Sequence, residues 1–366
     1  MTHILTSESV TEGHPDKVCD FIADSILDAC LEQDPDSRVA CEVLCKDDLV
    51  VLAGEISTRA VVDYEAVARE AVRQIGYVDP AEAFQADGLR FVNSITKQSP
   101  EIGASVTTAT DGAGQGAGDQ GIMFGYATVE TPELMPLPIL LAHRLSKGLA
   151  DDRHAGRPAW LRPDGKTQVS VEYADGAPAR VVKVLVSTQH APGVPQREIR
   201  DYVVGSLAPR VLGDWMPRPD DFIVNPSESF VKGGPSADCG VTGRKIIADT
   251  YGGAARHGGG AFSGKDASKV DRSGAYFCRY VARQVVIAGL ARRAEVQVAY
   301  AIGRAEPVSV MVETFGTGDP AAAGELVRSF EFRPQAIVAK LELGRPIFGS
   351  TTNYGHFGRP ALPWEV

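Results

Sequence analysis

GGAARHGGGAFSGKDASKVD, residues 252–271, sets glycines among Arg256, His257, Lys265 and Lys269. Glycine lets a backbone come close to an anion, and basic side chains converge on the same short segment, so the stretch reads as a polyphosphate cradle. Just upstream, Gly243, Arg244 and Lys245 add two fixed positive charges, while Asp238, Asp266 and Asp271 offer oxygen ligands for Mg²⁺ between phosphate groups. A Walker A loop is the obvious comparison, because residues 259–265 satisfy G-x-x-x-x-G-K. It fails twice: Asp266 stands where that motif needs a hydroxyl, and no apolar strand leads into the glycines. The choice left is a phosphate site of another design or a plain solvated loop.

The rest of the chain argues for the phosphate site. With 366 residues, 44% of them hydrophobic, it can bury ample core and form two or three domains. A net charge of −10 and a pI near 5.3 exclude nucleic acid or an anionic membrane as main partner. An anionic ligand then needs a local basic pocket, which the opening stretch supplies. The cysteines at 19, 30, 41, 45, 239 and 278 form no C-x-x-C pair and no zinc set, so they read as reduced core residues. The N-terminus has no basic segment followed by an apolar run, and no 18-residue apolar stretch occurs, so a cytoplasmic location is expected.

Periodicity predicts an amphipathic helix over 16–31, opened by Glu12, Gly13, His14, Pro15, Asp16 and Lys17, where free N–H groups can meet an anion. Strands are expected at 38–46 and 49–58. Each carries one carboxylate in an apolar run, Glu42 and Glu55, for which a solvated face is the default reading. A helix at 63–76 and a strand at 89–95 follow. Residues 96–120 are too rich in Gly, Ser, Thr and Ala to pack, and read as a mobile lid or a linker. Then come a helix at 134–150, a hairpin of 168–173 with 179–189 across Asp175 and Gly176, a helix at 199–212 and a strand at 222–224. The longest helix is expected over 267–290, with strands at 294–303 and 307–315 and short helices over 320–343. Three strand-and-helix groups emerge, with seams near 100–115 and 231–234, so three similar α+β units are open to consideration.

The segments SESVTEGHPDKV (7–18), GAGDQGIMFGYAT (116–128), DCGVTGRKIIADTYGG (238–253) and HGGGAFSGKDASKVDRS (257–273) together resemble S-adenosylmethionine synthetase. The likeness extends through LRPDGKTQV (161–169), MVETFGT (311–317) and YGHFGR (354–359). It implies an α+β fold of three similar α/β-sandwich domains with mixed sheets, divided as 1–102, a lid at 103–115, 116–232 and 233–366. It also implies a transferase of one-carbon metabolism: methionine sulfur attacks C5′ of ATP, and the displaced tripolyphosphate is hydrolysed to phosphate and pyrophosphate. A thioether has no proton to lose, so such a site needs alignment and cations more than a base.

Carried onto this sequence, the resemblance assigns His14, Lys166, Arg244, Lys245 and Lys265 to catalysis at the phosphates. Asp164, Ser229, Phe230, Asp238 and Ala261 become further ATP contacts, with Phe230 stacked on adenine. Glu55, Gln98, Asp238 and Lys269 surround methionine, Asp16 and Asp271 bind Mg²⁺, and Glu42 binds K⁺. Homodimers with shared active sites, pairing into a homotetramer, are implied as well; Lys265→Ala and Glu55→Ala chains, mixed, should restore some activity if the two residues act on one site from different subunits, and none if both come from one chain. The chain departs from the family pattern at Ser229, where an arginine is usual, at Lys232, at Arg304, and in a lid poor in charge. Those departures leave two alternatives open: the same chemistry on a methionine analogue, or a binding subunit without turnover.

Overall fold

The computed structural model describes residues 2–97 and 115–366. Gln98 and all but the last residue of the expected lid lie outside the described residues.

In chain order, strand β1 (His3–Val10) leads to helix α1 (Pro15–Gln33), the hairpin β2 (Arg38–Lys46) and β3 (Leu49–Ser57), helix α2 (Tyr64–Ile75) and strand β4 (Arg90–Thr96). The middle holds β5 (Gly121–Thr128), α3 (Leu137–His154), the hairpin β6 (Leu161–Ala174) and β7 (Ala177–His190), α4 (Gln196–Tyr202), α5 (Ala208–Leu212) and β8 (Phe222–Val224). The last part holds β9 (Gly240–Val241), α6 (Ile246–Asp249), α7 (Val270–Ile287), β10 (Arg293–Tyr300), β11 (Ser309–Glu313), α8 (Pro320–Arg328) and α9 (Pro334–Lys340).

Local sequence explains these elements well. In α2, Asp63 accepts the Ala66 N–H as cap and Gly76 closes the helix at φ 101°, while Ala68, Ala71, Val72 and Ile75 turn inward at helical spacing. The helix expected at 199–212 is instead broken into α4 and α5 by a π-helical turn at Val203–Leu207. Pro209, which has no N–H to donate back, comes two residues after that turn.

The strands form three sheets ordered β1-β6-β7-β8, β4-β3-β2-β9 and β11-β10-β5. The two four-stranded sheets are mixed, since β7 with β8 and β3 with β4 run parallel while their other pairs are antiparallel. The third is antiparallel. Helix α3 packs on β6 and β1, α1 on β2, and α7 on β5 and β10. The result is an α+β fold of three helix-and-sheet sandwiches, as expected.

No sheet is drawn from one stretch of chain. β1, from the N-terminal end, pairs with the central β6; β5 pairs with β10; and β9 completes the sheet of β2 and β3. Neither β1 nor β5 is foreseen from periodicity. β1 buries Ser7 and Ser9, which bond to the Gly252 carbonyl and to His143, so its inner face shows no apolar alternation. β5 emerges from a Gly- and Ala-rich run.

Candidate active site

β1 ends with Val10 opposite Lys166 of β6, so the chain that follows is delivered beside the start of β6. Thr11 holds it there, donating its hydroxyl to the Pro163 carbonyl at 2.7 Å, and Tyr77 donates to the Gly13 carbonyl at 2.6 Å. Position 13 must be glycine, because a Cβ would stand 2.4 Å from the Pro163 carbonyl. His14 then caps α1, its Nδ1 accepting the Asp16 N–H at 3.2 Å. The proton is thereby assigned to Nε2, which is left as a donor.

Asp16 is nearly buried and takes the Val241 N–H on one oxygen and the Lys245 ammonium, at 2.5 Å, on the other. Arg244 Nε lies 3.9 Å away. Burial pushes the His14 imidazole down to about 3; Lys245 adds to this against the opposing Asp16, and Lys166 acts in the same sense. Burial would raise the Asp16 carboxyl, but Lys245 and the Val241 N–H hold it below its usual range. His14, Asp16, Lys166, Arg244 and Lys245 thus form one group at the N-terminus of α1.

The end of β7 anchors the adjoining loop. Gln189 accepts the Asp164 N–H and donates to the Val231 carbonyl, while His190 Nε2 accepts the Phe230 N–H at 3.0 Å. Asp164 is buried and accepts the Gly234 N–H at 2.8 Å; its carboxyl is pushed up to about 6 by burial, against that bond. Asp238 and Ser229 are exposed nearby in sequence, and Phe230 is half-buried.

A second group forms at the edge of the β2 sheet. Lys265 pairs with Asp271 at 2.7 Å, and its backbone bridges Ala40 of β2. Ala40 in turn lies opposite Glu55, so Lys265, Ala40 and Glu55 make one row across the outer face, with exposed Glu42 on that same face. Lys265 and Glu55 therefore lie on one row of the same chain. Lys269 pairs with Asp266, whose oxygens also take the Val39 and Ser268 N–H groups, so Asp266 serves the loop and is not an open metal ligand. Ala261, half-buried, is close enough to Gly243 that a Cβ there would meet its methyl at 2.6 Å.

Among the described residues, no ion pair or hydrogen bond joins the two groups. Both hang on α1 through carboxylates, of which only Asp16 was singled out in the sequence. Asp16, Asp20, Asp24 and Asp28 recur every fourth residue; they accept the N–H of Val241, of Gly243, of Gly264, and of Phe348 and Gly349, at 2.7–3.0 Å. Lys17 joins this stripe, bonded to Asp249 and 3.1 Å from Asp20. The i, i+4 spacing of aspartates on the packed side of a helix was the signal that gives them away.

Three family models, described as the N-terminal, central and C-terminal domains of S-adenosylmethionine synthetase, match residues 2–100, 114–230 and 232–366. The chain belongs to the S-adenosylmethionine synthetase family. The S-adenosylmethionine synthase of Akkermansia muciniphila is 54% identical over 373 residues, covering 99% of this chain and 95% of that protein. Those of Sorangium cellulosum and Desulfosudis oleivorans are 54% and 52% identical, covering 99% and 100% of this chain and 87% and 96% of theirs.

Membership in the synthetase family brings an expectation of metal, and the donor set fits hard cations. The carboxylates of Asp16 and Asp271 each face a lysine at one oxygen. Among the described residues no three His, Cys, Asp or Glu side chains cluster closely enough to hold an ion unaided. The cysteines of this family member are unpaired, five of them buried and Cys239 half-buried, and no described helix is long and apolar enough to cross a membrane.

Proposed function

We infer that the chain makes S-adenosylmethionine from ATP and L-methionine, with release of phosphate and pyrophosphate. The observation that carries this reading is the gathering of His14, Lys166, Arg244 and Lys245 around Asp16 at a helix N-terminus in a member of the synthetase family. The reaction demands positive charge where the triphosphate leaves and no base at the sulfur. A neutral His14 with its Nε2–H free is a hydrogen-bond donor for the leaving oxygen, not a proton acceptor, and Lys166, Arg244 and Lys245 carry the countercharge. Asp164, Ser229, Phe230, Asp238 and Ala261 are proposed as the remaining ATP contacts, the Phe230 backbone being steadied by His190.

Lys265 and Asp271 are proposed to complete the phosphate end, with Glu55, Asp238, Lys269 and Gln98 at methionine. When bound, Mg²⁺ at Asp16 and Asp271 would neutralise charge on the phosphate oxygens, and K⁺ would be held by Glu42. The outer face carrying Glu42 and Glu55 also shows Leu44, Val51, Ala53 and Val92, and is turned to solvent. We take it as the surface where a second copy docks in a homodimer, so that the Lys265 group of one chain meets the His14 group of the other; a pair of such dimers would give the tetramer. The divisions 1–102, 103–115, 116–232 and 233–366 are proposed as sequence units rather than separately folding bodies, because the sheets exchange strands across them. A cytoplasmic location accords with unpaired cysteines.

The test is direct. Purified protein incubated with ATP, methionine, Mg²⁺ and K⁺ should yield S-adenosylmethionine, phosphate and pyrophosphate in equal amounts. Folded protein that yields none refutes the reading.

A further inference from the structure

Asp24 and Arg272 are both fully buried and meet in a two-pronged contact, 2.7 Å at each prong. Part of what is left of their hydrogen-bonding capacity goes to the turn that carries Lys265, while Asp24 Oδ2 also accepts the Thr352 hydroxyl at 3.0 Å. Asp24 Oδ1 accepts the Gly264 N–H at 2.8 Å, and Arg272 Nη1 donates to the carbonyls of Phe262 at 3.0 Å and Lys265 at 3.2 Å. The guanidinium is fixed from behind as well: Nε donates to the Tyr276 hydroxyl, Nη2 to Thr351, and its centre lies 4.3 Å from the Phe348 ring centroid. On the sheet side the Cys41 N–H donates to the Gly264 carbonyl at 2.9 Å.

An ion pair buried this deeply adds little stability beyond what apolar side chains of similar volume give, since desolvation offsets the attraction. Apolar side chains cannot, however, hold one amide and two carbonyls of a turn at fixed points. The pair also lies away from solvent, so it does not touch a ligand itself. We propose that Asp24 and Arg272 are positioning residues, which fix the backbone at 262–265 so that the Lys265 ammonium meets the triphosphate. This rests on the reading of Lys265 as a triphosphate ligand.

The probe is inorganic tripolyphosphate with Mg²⁺, whose hydrolysis by the full-length protein yields kcat and KM separately. Four variants are compared with the parent: Asp24→Leu combined with Arg272→Met, Arg272→Lys, Lys265→Ala, and the triple combination. The apolar pair removes both charges together, so no unpaired charge is buried, although the turn groups it leaves without partners should lower the unfolding midpoint somewhat; Arg272→Lys keeps the charge opposite Asp24 but loses the fork that reaches the carbonyls. Lys265→Ala should lower kcat/KM about 100-fold. Misplacing Lys265 through either change at the pair should lower it about 10-fold, in the same parameter, kcat or KM, that Lys265→Ala affects. The triple variant should be no worse than Lys265→Ala alone, because the pair acts only through that lysine. Losses that multiply in the triple variant, or full activity in both the apolar pair and Arg272→Lys, overturn the proposal. An undiminished Lys265→Ala enzyme overturns the reading of Lys265 itself, and the proposal falls with it.

Discussion

Two lysine–aspartate pairs of nearly equal length, Lys245 with Asp16 at 2.5 Å and Lys265 with Asp271 at 2.7 Å, sit in opposite surroundings. The Asp16 side chain is 4% exposed and the Asp271 side chain 20%. Asp16 also spends an oxygen on the Val241 N–H, so the first pair is built into the packing between α1 and β9. The second stands at the rim of an open sheet face beside Glu42 and Glu55. Asp16 and Asp24, which anchor the two loops, are eight residues apart on α1, about 12 Å at the rise of a helix. One pair is packed inside its chain; the other borders the exposed sheet face.

If a second copy covers that face, the strongest effect appears in mixed dimers. Lys166→Ala and Lys265→Ala should each lower S-adenosylmethionine formation about 100-fold or more as pure proteins. Two-fold symmetry then leaves one of the two sites in each mixed dimer with both lysines intact, so co-expressed chains should regain about half the parent activity per mixed dimer. Activity that stays at the single-variant level in verified mixed dimers would place both groups at one intrachain site. Lys265→Ala mixed with Glu55→Ala should show no recovery, because those residues share a face.

The second test strikes the loops rather than the lysines. Gly264 has φ 79°, and a Cβ on it would stand 2.0 Å from the Cys41 carbonyl oxygen, so Gly264→Ala combines strain with a backbone clash. We expect a loss of about 2–3 kcal/mol of stability in urea unfolding. Gly13→Ala meets the Pro163 carbonyl at 2.4 Å, without a positive φ, and should cost less. An equal or larger loss at Gly13 would mean that the first group is the more tightly clamped of the two.

Protonation separates the groups by pH. In the folded chain the His14 imidazole is held down to about 3, below its ordinary 6.5, so under pH 6.5 the unfolded chain takes up a proton that the folded chain refuses. Stability from this source is complete above pH 6.5 and is lost as the pH falls toward 3, by up to about 1.4 kcal/mol per pH unit. His14→Asn keeps a capping side chain and removes the titration. Urea unfolding at pH 7.5, 5.5 and 4.5 should show the parent losing ground to the variant as the pH drops; parallel curves would show that His14 is not held neutral.

The first of these groups was the easier to read in sequence, and the reason is physical. His14, Pro15 and Asp16 announce a capped helix start, and Arg244 and Lys245 are adjacent, so their charge is visible as a local pattern. The hairpins and helices around them follow from periodicity within a few residues, except that β6 begins at Leu161, ahead of the expected 168, and the helix over 199–212 is broken by a π-helical turn. What was hidden is whatever depends on contacts distant in sequence. The polar inner face of β1 carries no hydrophobic alternation, and β9 is two residues long. Asp20, Asp24 and Asp28 look like the wet side of α1 until their N–H partners, more than 200 residues away, are in place. The placement of Glu55 with Lys265 was likewise fixed by sheet register, which no local pattern encodes.

The smallest expected effect concerns the proposed adenine side of the first group, at Ser229. Ser229 is exposed and its N–H bonds back to the Ser227 carbonyl at 2.8 Å, whereas the neighbouring Phe230 backbone is tied to His190 in both directions, N–H to Nε2 and carbonyl to the His190 N–H, at 3.0 Å each. The loop is thus held by its backbone, and the side chain at 229 contributes little to its shape. Ser229→Arg should change the KM for ATP by no more than about threefold, in line with an exposed substitution worth some 0.5 kcal/mol. His190→Ala, which frees the Phe230 N–H, should raise that KM more than Ser229→Arg changes it. A large gain in ATP affinity from Ser229→Arg alone would show that the side chain, not the clamped backbone, governs nucleotide binding there.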